Sequence, residues 1–353
     1  MSETYGRYYN GLPENYWDKQ NFCWYIHDII LSIFNNCIEN NRMDYEIKFK
    51  NKLHAQEFET SEDIFDWLYK NGYGNNADII LGKRIFHAIL ADMLNFIYES
   101  LNTIEKGKIT VSLALLRKPL RDNLLYLEWL LGSSKEFIKL VNNSEIDKYA
   151  IENVNKHKKI NIIKNAINKI DNKDYFDVLN EDVYFDLRYN KAAGNSLQLV
   201  WDRANHLVTT RPHHRSNEFN FVFLDNELHL DYIQYYYSQV PHLLFYTYNI
   251  IIKLYEKFFR KLSKATKIYN NSLIIYKLSN MIGSTKTNEY FKEEMKVLLN
   301  FPCLNCKELI QINENSKEFE RFKYGWGFEC PKCKNEINTA KYIFLEDYKK
   351  TSK

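Results

Sequence analysis

The sequence predicts a mainly α-helical fold: a helical bundle carrying one small inserted β-hairpin, followed by a small cysteine-bearing β domain at the C-terminus. Three observations point that way. Apolar residues recur at helical spacing over most of the chain. Turn-forming residues are scarce, with 11 Gly and 6 Pro in 353 residues, which suits long helices and disfavours sandwiches with many turns. Period-two alternation is confined to a short stretch near Phe219 and to the segments between the last four cysteines.

Residues 16–38 carry Trp17, Phe22, Tyr25, Ile26, Ile29, Ile30, Ile33 and Phe34 on a helical stripe. "TSEDIFDWLYKNG" reads as a helix capped by Thr60 or Ser61 and stopped at Gly72. Residues 84–104 and 109–131 form two long amphipathic helices joined at Gly107, which predicts an antiparallel pair. Residues 134–170 continue helical but more polar, 171–195 are broken and Asn/Asp-rich, and a helix resumes from Ser196 to about Val208. In "RPHHRSNEFNFVFLDNELHLD" the alternation of Phe219, Phe221 and Phe223, with Asp225-Asn226 as the turn, predicts the hairpin. The longest helix is expected over 231–264, kinked at Pro241, with two shorter ones at about 270–282 and 286–300. A break at Phe301-Pro302 divides the chain into an α-helical domain, 1–300, and a C-terminal domain, 301–353.

Composition narrows the classes. Hydrophobic residues make up 45%, enough for one large core or two domains, and 27 Tyr with 22 Phe exclude a disordered chain. A net charge of +3 does not by itself demand a polyanionic partner. The start, "MSETYGRYYNGLPENYW", lacks the basic-then-apolar pattern of a signal peptide. The most apolar stretch, "VPHLLFYTYNIIIKLY", carries His242 and Lys253 and reads as a buried helix, so no membrane association is expected. A cytoplasmic location follows, where clustered cysteines stay reduced and free to bind metal.

The strongest motif is Cys303-x2-Cys306, 23 residues, then Cys330-x2-Cys333. Two residues between thiolates let each pair grip one ion from a tight turn, and two pairs complete a tetrahedron. Pro302 and Pro331 stiffen the turns, and "ELIQIN" and "KYGWGFE" read as short strands. Over residues 301–345 the pattern resembles the zinc-ribbon family, a small β-sheet held by two such knuckles. That resemblance implies a structural Zn2+, since four cysteines leave no open position for chemistry. Tyr324, Trp326 and Phe328 alternate with glycines and share one strand face; with Arg321 and Lys323 upstream they form either a stacking platform for single-stranded nucleic acid or the ribbon's own core.

Three weaker constellations accompany it. Lys253, Lys257, Arg260 and Lys264 recur at helical spacing, with Lys261 and Lys267 nearby, either to track phosphates or as a solvated face. "DRANHLVTTRPHHR" gathers His206, His213 and His214 beside Arg203, Arg211 and Arg215 where a helix gives way to a loop. These suit acid-base work on a phosphodiester, a second metal, or a plain surface loop. Arg117 and Arg121, one turn apart on an apolar helix, need partners, with Asp122 and Glu128 close by. No P-loop, HExxH, GxSxG or Glu-x-x-His motif is present, which removes the corresponding nucleotide, protease, hydrolase and di-iron classes.

Residues 84–131, together with "WDRANHLVTTRPHHR", are similar to bacterial helical proteins grouped near the HEPN and abortive-infection families. The resemblance implies a helical bundle with an accessory domain, set in phage defence or a toxin system. HEPN ribonucleases carry Arg and His separated by four to six residues; here the spacings are Arg203-x2-His206 and Arg84-x2-His87. Two functions are therefore expected. One is a nucleic-acid-associated protein in defence or stress response, a phosphodiester-cleaving nuclease if it is an enzyme, with RNA or DNA as partner. The other is a non-enzymatic module whose ribbon docks a protein partner or a second copy of the chain.

Overall fold

The computed structural model describes residues 11–171, 180–210, 215, 219, 226–282, 300–313, 316–319 and 327–344. About 70% of the described residues are helical, with small antiparallel strand pairs near the C-terminus.

Helix α1 (Trp17–Ile38) is the hub. Every residue from Gln20 to His27 is buried, so its polar members need internal partners. Gln20 donates to the Leu101 carbonyl (3.0 Å) and accepts from the Tyr237 hydroxyl (2.8 Å). Around it lie α4 (Gly74–Ile104), α12 (Asn226–Phe258) and α13 (Lys264–Ile282). Between them come α2 (Lys52–Glu59), α3 (Ile64–Lys70), α5 (Ile109–Arg117), α6 (Leu124–Gly132), α7 (Ser134–Asn142), α8 (Ile146–Tyr149), α9 (Lys156–Ile167), α10 (Glu181–Tyr189) and α11 (Leu197–Asn205).

The expected pair at Gly107 is present. Gly107 sits at φ 70°, a conformation that favours glycine, and turns α4 back along α5. Ser100 and Ser112 then exchange reciprocal hydroxyl-to-carbonyl bonds, both 2.9 Å, across the close approach. Gly72 (φ 83°) ends α3 as expected. A side chain at Gly82 of α4 would run into the Phe258 ring, 2.2 Å from an ideal Cβ. That glycine lets the end of α12 seat on α4.

Several boundaries differ from the sequence reading. Thr60 and Ser61 do not cap α3: Thr60 ends α2, and Asp63 caps α3 by accepting from the Asp66 N–H (2.9 Å). The polar stretch 134–170 is helical as expected and is divided into three helices, α7 to α9, broken at Asn143–Glu145 and again before Asn155, which caps α9. The "broken" stretch contains α10, capped by Asn180, whose side chain accepts from the Asp182 N–H (2.8 Å). The longest helix runs through Pro241, starts at Asn226 and stops at Phe258. Thus Asn226 of the expected turn and 227–231, the second arm of the expected hairpin, are helical; the rest of that segment lies outside the described residues, apart from Arg215 and Phe219, as does nearly all of the helix expected at 286–300.

Helices α5 and α6 are one rod interrupted by a π-turn, Lys118–Asn123. Pro119 has no N–H, and the Leu124 N–H reaches back five residues to the Pro119 carbonyl.

At the C-terminus, β1 (Asn300–Pro302) pairs antiparallel with β2 (Leu309–Gln311), and β3 (Gly327–Glu329) with β4 (Glu336–Asn338). The registers place Phe301 opposite Ile310 and Phe328 opposite Ile337. A 3-10 turn, Thr339–Phe344, follows and packs on α1 and α13. Among the described residues no helix is long and apolar enough to cross a membrane.

Candidate metal centre and its attachment to the helices

The two strand pairs build two matching knuckles. In the first, the Cys303 N–H donates to the Glu308 carbonyl (2.8 Å) and the Lys307 N–H to the Cys303 carbonyl (2.9 Å). In the second, the Cys330 N–H donates to Asn335 (2.9 Å) and the Lys334 N–H to Cys330 (2.9 Å). Lys307 and Lys334 both take positive φ, 63° and 60°, so each turn closes just after its second cysteine. This repetition faces the four Sγ atoms inward, all within 4.8 Å of one another.

The spacing suits a metal and not disulfides. Cys303 Sγ lies 3.6 Å from Cys333 Sγ, and Cys306 Sγ 3.7 Å from Cys330 Sγ. A disulfide needs about 2.05 Å. The edge of a tetrahedron built from Zn–S bonds of about 2.3 Å is about 3.8 Å. The thiols are tuned unequally. The Asn335 backbone N–H, then the Asn305 side chain, hold Cys333 down to about 6. The Glu308 backbone N–H also lowers Cys306, but burial and the neighbouring sulfurs outweigh it and push that thiol up to about 12. Thiolate is the form that ligates a metal, so binding at this cluster would release protons.

The knuckles are fastened to the helices by the turn that follows them. Tyr342 is fully buried, Ile343 and Phe344 nearly so. The Tyr342 hydroxyl donates to the Pro302 carbonyl (2.7 Å), closing the turn over β1. Asn270 of α13 donates to the Ile343 carbonyl (3.0 Å). The Phe344 ring lies 5.1 Å from Tyr255 and 5.4 Å from the Arg260 guanidinium. Asn338 caps the turn by accepting from the Ala340 N–H (2.9 Å) and reaches Asp28 of α1 at 3.4 Å. The sequence signal was the apolar run "YIF" after the second knuckle, which the ribbon reading absorbed without assigning it a contact.

Of the aromatic triad, Phe328 is buried; Tyr324 and Trp326 lie outside the described residues. The basic stripe is mostly spoken for. Lys253 bonds Asp171 (2.9 Å) and Glu256 (3.0 Å), and Lys267 bonds the same two carboxylates at 3.2 and 2.7 Å, forming a closed ring of four charges. Lys257 donates to the Leu130 and Leu131 carbonyls (3.2 and 3.1 Å) at the end of α6, and burial lowers its pKa to about 8. Arg260 donates to the Tyr255 hydroxyl (3.1 Å). Lys264 is exposed at the start of α13.

Of the histidine-arginine segment, His206 is exposed just past α11, and Arg203 donates to the Tyr232 hydroxyl (3.2 Å). Arg211, His213 and His214 lie outside the described residues. No family model, curated protein or solved structure matches the chain. The likeness to HEPN and abortive-infection proteins therefore has no family match behind it.

Sequence reasoning missed the most deeply buried ion pair. Arg188 of α10 and Glu128 of α6 are both fully inaccessible. They meet through two bonds of 2.6 and 2.9 Å, and the Tyr246 hydroxyl adds a third donor at 2.7 Å. Burial pushes the Glu128 carboxyl up, opposed by the charge of the Arg188 guanidinium and by the hydrogen bonds from Arg188 and Tyr246. Arg188 also donates toward the Leu120 carbonyl (3.5 Å), and the Tyr189 hydroxyl to that of Arg121 (2.5 Å), two acceptors of the π-turn. Glu128 in the apolar run "LLYLEWLL" announced a buried acid; its partner, 60 residues on, had no comparable signal. Arg121 pairs with Asp122 (2.7 Å) and Gln198 (2.9 Å).

Proposed function

We propose that this chain is a non-catalytic binding protein whose four C-terminal cysteines hold a structural Zn2+ and whose ribbon, seated on the helical body, receives a protein partner. The observation that carries this reading is the buried turn Thr339–Phe344: it makes the ribbon a fixed extension of the body. A rigid platform suits docking, because less ordering entropy is lost on association.

Two further facts favour it over the nucleic-acid reading. Lys253, Lys257 and Arg260 already bond internal acceptors, so they are poorly free to neutralise phosphates. Phe328, the described member of the aromatic triad, is buried and offers no base a stacking face. The division into a helical unit, 1–300, and a ribbon, 301–353, belongs to the same proposal.

The test has three arms on metal-loaded full-length protein. Elemental analysis should find one zinc per chain. Anisotropy titrations with labelled single-stranded RNA, single-stranded DNA and duplex DNA should show no salt-dependent binding, and a denaturing gel no cleavage. Crosslinking in the native cell should join a partner protein to residues 303–338. Salt-dependent nucleic-acid binding, or cleavage lost in His206→Ala, would overturn the proposal in favour of a nucleic-acid-associated protein.

A further inference from the structure

Between α11 and the first half of α12 lies a cleft of about 240 Å3, far from the cysteines in sequence. Leu199 and Val200 on one side and Tyr232 and Tyr235 on the other line it, with a charge of each sign: Arg203 from α11 and Asp231 from α12. Both charged residues are exposed. Arg203 spends one N–H on the Tyr232 hydroxyl, and no ion pair joins it to Asp231. Asp231 has no ion-pair partner among the described residues. The Tyr235 hydroxyl is also committed, donating to the Asn195 carbonyl (2.5 Å), so that tyrosine offers the cleft its ring and not its polar tip.

Opposite charges that share a cleft without neutralising each other restrict what can enter. A simple anion would meet Asp231, and a simple cation Arg203. An uncharged apolar molecule would strip water from both charges and replace none of it. A zwitterion answers both. Size narrows the choice: drug-sized ligands occupy pockets of about 300–1,000 Å3, so this cleft suits something smaller. We propose that it binds a free α-amino acid with an apolar side chain. The carboxylate pairs with the fork of Arg203, the ammonium with Asp231, and the side chain lies against Leu199, Val200 and Tyr235. The proposal does not depend on the metal or on the protein-binding reading.

Calorimetric titration of the metal-loaded chain with each of the twenty free amino acids tests it. One or a few apolar members should saturate a single site in the millimolar range or tighter. The amide of the best ligand lacks the carboxylate and its N-acetyl derivative the ammonium; each should bind at least tenfold more weakly. Arg203→Gln and Asp231→Asn should each cost a similar factor. Gly194→Phe probes the cleft without touching either charge, because a Cβ there meets no atom within 4 Å; it should fold normally and abolish binding. No saturable binding of any amino acid, or binding that the two charge variants and Gly194→Phe all leave unchanged, overturns the proposal.

Discussion

The helical body and the C-terminal ribbon hold together by different physics. In the body, α1 alone buries thirteen residues, and long helices shield one another on every side. Hydrophobic burial there needs no ligand. In the ribbon, strands of three residues each contribute one inward side chain: Ile310, Phe328 and Ile337 are those of β2, β3 and β4. Such a unit cannot cover its own backbone, and its order must come from the four thiols and from the turn lodged in the body. The contrast is between a core that assembles from area and one that assembles from a few directional bonds.

Removing the metal should separate the two regions most sharply. Structural zinc in small domains supplies about 10–16 kcal/mol at neutral pH. A strong chelator, or Cys303→Ser with Cys330→Ser, should therefore unfold residues 300–344 while most helical circular dichroism persists. Limited proteolysis would show cuts in the ribbon and a resistant body. Cuts spread evenly through both would mean that the body also depends on the metal.

Within the body, the comparison breaks where the core encloses an ion pair, Glu128 with Arg188. Glu128→Gln or Arg188→Met leaves its partner buried and uncompensated, at a cost of about 3–5 kcal/mol. Thermal unfolding should reveal it as a large fall in Tm. The double replacement Glu128→Leu with Arg188→Met should cost less than either single change.

At the seam, Phe344→Ala should cost about 3 kcal/mol, as for truncation of a buried aromatic, and should also speed metal loss to a chelator. That second readout, followed with a colorimetric zinc indicator, distinguishes a fastening from a simple core residue. The smallest effect is expected from Glu256→Gln, about 1 kcal/mol, which opens the four-charge ring. Burial raises the Asp171 and Glu256 carboxyls, but their lysine bonds outweigh it and hold both below the ordinary values of 3.8 and 4.5. Their contribution is whole above those values and is lost as pH falls through the lowered ones. Acid unfolding monitored between pH 5 and about 3 should therefore be shallower in the variant.

What the sequence made legible follows the same divide. The cysteine spacing located a cluster that could hold a metal because ligand geometry is local, four residues per knuckle. The α4–α5 pair was readable because Gly107 and two apolar stripes lie next to each other in the chain. Harder to read were contacts between distant segments. The cations of 253–267 look like a solvated face in one dimension, yet Asp171, the α6 carbonyls and Tyr255 claim Lys253, Lys267, Lys257 and Arg260 in three, leaving Lys261 and Lys264 exposed. Helix ends moved for a similar reason: Asp63, Asn155 and Asn180 cap helices that propensity alone merges or overlooks. Arg188 was invisible because its partner is fixed by packing of α10 on α9, α11 and the π-turn, and by no periodicity.

The buried turn has a further consequence for biosynthesis. Residues 339–344 leave the ribosome long after α1, which they cover. At about 5–20 residues per second, tens of seconds pass between the two. Throughout that interval the surface of α1 that receives the turn is uncovered, and that of α13 is uncovered only for its last several seconds. On the zinc reading it would close fully only once the second knuckle has emerged and bound its ion. Zinc supply during translation would then govern how long a nascent chain displays that surface to chaperones and proteases, and so how much protein a metal-starved cell accumulates.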